Sequence, residues 1–160
     1  MIGVVSSDNS IHVCFNVVHA FLNYRKIILA VELTCLAWSV LLGLAHILIA
    51  GQARTNELGA KWNAGARDGV QPTLSRMTNR LFRAQANFFE TFPLFATVIL
   101  ITATTNLYSV YSHWGAILYL AARMIYLPLY AFGIPYIRSL AWIVSLIGIL
   151  MILLPLIFNI

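Results

Sequence analysis

The sequence predicts an all-α fold, an integral membrane bundle of four transmembrane helices. Three observations carry this. Hydrophobic residues fill 61% of the 160 positions and charged residues only 9%, against about 25% charged in an ordinary soluble domain. That is too little charge to clothe a globule in water. Mean hydropathy is +0.84. The apolar residues are also gathered into long runs separated by polar or turn-rich stretches. In lipid a helix satisfies its own backbone groups, so runs of this length read as helices.

Taken in order, residues 1–26 are a weakly apolar leader with the least readable pattern. They lack the basic start and small-residue cleavage site of a signal peptide, and are expected to be an interfacial leader or an N-terminal extension. His12, Asn16, His19 and Asn23 would share one stripe of a helix. His12 and His19 would then sit about 10 Å apart, too far to share one metal ion, so no metal site is expected. The first span is expected over about 27–50, or roughly 36 Å at the helical rise, enough to cross a bilayer with some tilt. A long polar connection follows over 51–74, with Gly59, Gly65, Gly69 and Pro72 in it. The second span is expected over 75–104, amphipathic in its first half and almost wholly apolar in its second. A short uncharged connection leads to the third span, 113–132. Gly133-Ile134-Pro135 is a tight turn signal, and the fourth span covers 139–158. One four-helix domain, 27–160, is therefore expected. Cys14 and Cys35 form no disulfide framework.

The formal net charge is +5, and six of the ten basic residues lie between Arg54 and Arg83. No nucleic-acid-binding motif surrounds them, so nucleic acid is not the expected partner. Topogenic charge beside a membrane explains them. The positive-inside rule then puts the long first connection and Arg138 in the cytoplasm and both termini on the opposite side.

The second span contains the one concentrated set of polar groups. Arg76, Arg80, Arg83, Asn87 and Glu90 are spaced 4, 3, 4 and 3 apart, within one helical face. Charge facing hydrocarbon costs several kcal/mol per residue, about 3 on insertion scales, so this face must meet protein, water or a ligand. In the third span Arg123, Tyr126 and Tyr130 are spaced 3 and 4 apart, and Arg138 and Ser139 follow beyond the turn. At one membrane depth, Arg80, Arg83, Arg123 and Arg138 would face a single carboxylate, Glu90. Such an excess of positive charge asks for an anion. Arginines grip carboxylates in a two-pronged manner, Glu90 suits an ammonium, and Gln85 and Asn87 offer amide donors and acceptors. Residue chemistry thus reaches a small zwitterionic anion; glutathione is one molecule with that inventory.

The stretch from Arg83 to Phe95, RAQANFFETFPLF, resembles the second-helix signature of the MAPEG family, the membrane-associated proteins in eicosanoid and glutathione metabolism. It is most similar to the pattern of the leukotriene C synthase branch. Arg123, Tyr126 and Tyr130, an arginine at the next turn (Arg138) and a basic residue after the first helix (Arg54) match as well. The resemblance covers about residues 31–158. It implies a homotrimer with glutathione held between subunits and facing the cytoplasm. Arg54, Arg83, Asn87, Glu90, Arg123, Tyr126 and Tyr130 would bind the tripeptide. Arg138 would stand near the sulfur and favour its thiolate, with Ser139 as a helper. Three positions depart from the branch patterns: Ala86, Thr91 in place of an aromatic, and Arg138 one residue later than usual. A broad lipophilic acceptor is therefore expected rather than a specialised eicosanoid role.

Three functions compete. The leading one is a glutathione transferase or peroxidase acting on lipophilic electrophiles held in the bilayer. A non-catalytic lipid-binding or scaffold protein of the same fold is the second. A small transporter is the third; it would need an ionisable group near the membrane midplane, and Glu32 and Glu90 are both expected away from it.

Overall fold

The computed structural model describes residues 30–66, 70 and 72–158. Contacts divide the chain into Met1–Ala30 and Val31–Ile160, and the fold is that of the second unit. The expected leader over 1–26, with Cys14 and the stripe of His12 to Asn23, lies outside the described residues, as do Arg25, Lys26 and Arg67.

The elements are α1 (Val31–Leu58), a short α2 (Ala60–Ala64), α3 (Arg76–Thr105), α4 (Val110–Phe132) and α5 (Pro135–Phe158). There is no strand among the described residues. α1, α3, α4 and α5 are each long and apolar enough to cross a membrane. The protein is thus an all-α, multi-pass integral membrane protein.

The first span differs most from its expected bounds. It does not stop near residue 50 but runs to Leu58. The reason is local hydrogen bonding among polar residues that remain good helix formers. Thr55 Oγ1 donates to the Gly51 carbonyl at 2.8 Å, and Gln52 Nε2 donates to Asn56 Oδ1 at 2.7 Å. The helix has 28 residues, or about 42 Å at 1.5 Å per residue, so some 12 Å outlast a hydrocarbon core of about 30 Å. Arg54 therefore stands inside the helix, not in a loop. Gly59, at φ +84°, ends it with a conformation that a side chain would disfavour.

Both described glutamates of α1 reach the start of another helix. At one end, the Glu32 carboxylate is buried and accepts from Ser112 Oγ at 2.6 Å. Ser112 in turn closes a capping box with Ser109 at the start of α4. At the other end, Glu57 accepts from Ser75 N at 2.9 Å and from Ser75 Oγ at 2.5 Å. It also accepts from Thr78 Oγ1. Ser75 is the N-cap of α3, accepting from Thr78 N at 3.2 Å. A carboxylate at a helix N-terminus meets unpaired amides and the positive end of the dipole. Glu57→Ala should accordingly speed amide hydrogen exchange at Thr78 and Asn79 and leave the α4–α5 interior unchanged. Unaltered exchange at Thr78 would show the clasp to be idle.

The apolar core lies toward the end bearing Glu32. Cys35, Phe95, Val98, Ile99, Ala116, Tyr119, Ile149 and Ile152 form one buried cluster, with the Phe95 and Tyr119 rings stacked at 3.9 Å. α4 and α5 meet closely there. A Cβ built on Gly148 would lie 2.7 Å from the Gly115 carbonyl oxygen and 2.9 Å from Tyr119 N. The opposite end carries Arg54, Lys61, Arg76, Arg80, Arg83 and Arg138 and is the basic end.

Candidate functional site

The polar residues of α3 sit on its flank, not on its buried stripe. Thr78, Leu81, Ala84, Phe88, Thr91 and Phe95 make the stripe. Arg83 and Glu90 are exposed in the single chain, and Asn87 is half-buried. Because side chains repeat at 3.6 residues per turn, all three lie on one flank, the one from which Asn87 reaches Arg123 of α4.

There the structure joins three helices through one polar strip. Arg123, on α4, is fully buried. Its Nη1 donates to Asn87 Oδ1 at 2.9 Å and its Nη2 donates to Thr91 Oγ1. Its Nε is buried without a hydrogen-bond partner among the described residues. The guanidinium carbon lies 5.3 Å from the Tyr126 ring centre and 5.8 Å from that of Tyr119, so aromatic faces supply part of its solvation. Asn87 Nδ2 donates onward to Glu90 Oε2 at 3.3 Å. On the other side Tyr126 meets Tyr130 with ring centres 5.3 Å apart. Arg138 then lies over the Tyr130 ring at 4.6 Å. Ser139 is exposed, and its hydroxyl donates to the Pro135 carbonyl at 3.4 Å.

The α4–α5 turn that carries Arg138 toward Tyr130 is built on Gly133. Its φ is +76°, and Gly133 N and Ile134 N close back on the Tyr130 and Leu129 carbonyls at 3.1 and 3.0 Å, as a Schellman motif does. The Arg80 guanidinium packs against the space where a Cβ would stand, beside the negative end of the α4 dipole. Gly133→Ala should therefore cost about 1 kcal/mol for the left-handed backbone and also displace Arg80. Thermal unfolding checks the first effect, and a charge-neutral Arg80→Gln background should absorb the second.

Two expected site residues stand apart. Arg54 lies with its guanidinium 5.2 Å over the Phe82 ring, in a cavity of about 210 Å³ lined also by Leu58, Trp62, Pro72, Leu74 and Asn79. Its Nε is buried without a hydrogen-bond partner among the described residues. Gln85 is two residues from Asn87, roughly 160° around the helix, on the flank toward α1. The strip and this second pair thus occupy opposite flanks of α3 in one chain.

Sequence reasoning missed what fills the middle of the bundle. His46 is buried and stacked on Phe88 with ring centres 4.7 Å apart. Its Nδ1 is 2.9 Å from the Leu42 carbonyl. His46 and Arg123 stand near the midpoints of their helices, so the interior is not empty of ionisable groups as expected. Thr91 counted only as a departure from a pattern, yet it accepts from the buried guanidinium. Its spacing of three from Phe88 and four from Phe95, along the apolar stripe, was the available signal.

A model of the MAPEG family matches residues 35–158. The chain belongs to the MAPEG family. The match takes in α3, α4 and α5 whole and α1 from Cys35 onward, and so every residue of the strip as well as Arg54 and Gln85. Neither a curated protein nor a solved structure matches this MAPEG chain. The family ties the fold to membrane-bound glutathione and lipid metabolism.

Proposed function

We propose that this MAPEG protein is a glutathione-dependent transferase or peroxidase that acts on lipophilic electrophiles dissolved in the bilayer. The observation that carries this reading is the polar strip Glu90–Asn87–Arg123–Tyr126–Tyr130–Arg138, with Arg83 one helical turn before Asn87 on α3. It is a cation-rich lane with one carboxylate, set into helices that are otherwise apolar. Its inventory suits a tripeptide with two carboxylates and one ammonium. Glu90 pairs with the ammonium, Arg83 with a carboxylate, and Tyr126 and Tyr130 with the peptide between. Arg138 lies near the sulfur and favours the thiolate, which is the nucleophile. The sulfur electron pair forms a bond to an electrophilic carbon, and the bond electrons pass to the leaving group or ring oxygen.

Arg54 and Gln85 belong to the same site if it is completed by a second copy. One helix cannot turn both flanks to a single ligand, but two neighbouring chains can each offer one. A homotrimer closes three such sites. The positive-inside rule places them at the cytoplasmic face, open to glutathione from water and to the acceptor from lipid.

The test is thermal unfolding of the full chain in lipid nanodiscs with glutathione and with S-hexylglutathione. A ligand at 100 times its dissociation constant stabilises the folded state by about 2.7 kcal/mol. A concentration-dependent rise in Tm with both ligands, and conjugation to a model aryl halide, are the expected results. No rise with either would defeat the reading; a rise without turnover would leave a non-catalytic glutathione-binding member of the family.

A further inference from the structure

We propose that Arg123 is a positioning residue: it sets the orientation of the Asn87 amide and, through it, holds Glu90 ready for the ammonium of the ligand. This rests on the reading of Glu90 given above. The inference starts from burial. Arg123 is 0% exposed, and both terminal nitrogens are engaged by Asn87 and Thr91. A guanidinium so enclosed does not grip a ligand at the protein surface.

The Asn87 amide lies between a cation and an anion. Its oxygen accepts from Arg123 and its nitrogen donates to Glu90. Turned over, it would place an N–H group against the guanidinium and an oxygen against the carboxylate, both repulsive. The orientation is therefore doubly determined, and the amide dipole is polarised along the line from Arg123 to Glu90. Thr91 steadies the other arm of the fork. A hydroxyl here accepts a hydrogen bond that an aromatic ring at this position would not offer in the same way. Glu90 Oε2 is held by Asn87, which leaves Oε1 for an ammonium.

The experiment compares glutathione with glutaryl-cysteinylglycine, which lacks the α-amino group, by calorimetry on the full chain in nanodiscs. The wild type should prefer glutathione by about tenfold or more, as a charge-assisted bond to an ammonium implies. Arg123→Lys and Thr91→Val should reduce that preference to less than threefold, with little change in affinity for the deamino ligand. Thr91→Ser, which keeps the hydroxyl, should recover much of what Thr91→Val loses. Equal weakening of both ligands would mean a merely structural role and overturn the proposal, as would an unchanged preference.

A second measurement stands without any ligand. In protein labelled with ¹⁵N-asparagine, Glu90→Gln should move the Asn87 side-chain amide signal in the wild-type background and not in the Arg123→Lys background. The same movement in both would refute the positioning chain. If the wild type binds neither peptide while this coupling is present and Arg123-dependent, the proposed function falls and the positioning role remains.

Discussion

Arg138→Ala should slow conjugation of a model electrophile about 25-fold at pH 7 while changing glutathione affinity only several-fold. The argument is electrostatic. A guanidinium beside the sulfur favours thiolate over thiol, and a preference of about two pKa units corresponds to roughly 2.7 kcal/mol. Without it the bound thiol titrates near the usual thiol value, about 8.5, and only a few per cent is ionised at neutrality. The sign gives the control. The variant's rate should climb nearly tenfold per pH unit between pH 6 and pH 8, whereas the wild-type rate should rise only about fourfold over the whole interval and be nearly level above pH 7. The half-buried position of Arg138 over Tyr130 makes Tyr130→Ala a milder copy of the same defect, because the guanidinium loses the surface that directs it. Turnover of Arg138→Ala within twofold of wild type at pH 7 would remove the role assigned to this side chain.

Gly148→Ala should destabilise the folded protein by about 3 kcal/mol, the upper part of the usual range for overpacking. The added methyl would meet backbone atoms on α4: the Gly115 carbonyl oxygen at 2.7 Å, Tyr119 N at 2.9 Å and Tyr119 Cα at 3.2 Å. Backbone cannot rotate away as a side chain does, so the two helices must separate, and contacts around Ile149 and Ile152 loosen with them. Small residues at membrane-helix contacts serve this close approach. Gly43→Ala is the matched control. Its new methyl would meet the edge of the Phe88 ring at 3.1 Å, a side chain that can give by a few tenths of an ångström. It should cost less than about 1 kcal/mol. Unfolding in a denaturing detergent series reads both, and equal effects would show that the α4–α5 contact is not the tight one.

The architecture was legible because lipid removes choices. Apolar runs such as 88–103 and 139–158 have one stable form in hydrocarbon, and their spacing sets the number of crossings. The polar face of α3 was legible for a related reason: Arg83, Asn87 and Glu90 at intervals of four and three have no innocent place in an apolar helix. What periodicity could not supply was pairing between helices. Nothing in the spacing of Arg123 says that it turns inward to Asn87 and Thr91 while Arg138 stays at a tyrosine face. The end of α1 was misplaced because hydropathy measures where lipid stops, whereas the helix stops where Gly59 permits a left-handed turn. Gln85 shows a further limit. Its chemistry fits the expected ligand, but its place on the helix puts it on the flank away from Asn87, which residue chemistry alone does not reveal.

The two glutamates of α1 restrict how the bundle can answer a change in bilayer thickness. Each is tied to the start of a different helix, at opposite ends, so a slip of α1 by one helical turn, about 5.4 Å, would sever both attachments together. Mismatch with a thicker or thinner membrane must then be met by leaning the whole assembly or deforming nearby lipid. Helices fixed in register in this way carry Asn87 of α3 and Arg123 of α4 to a constant relative height in any membrane the protein inhabits.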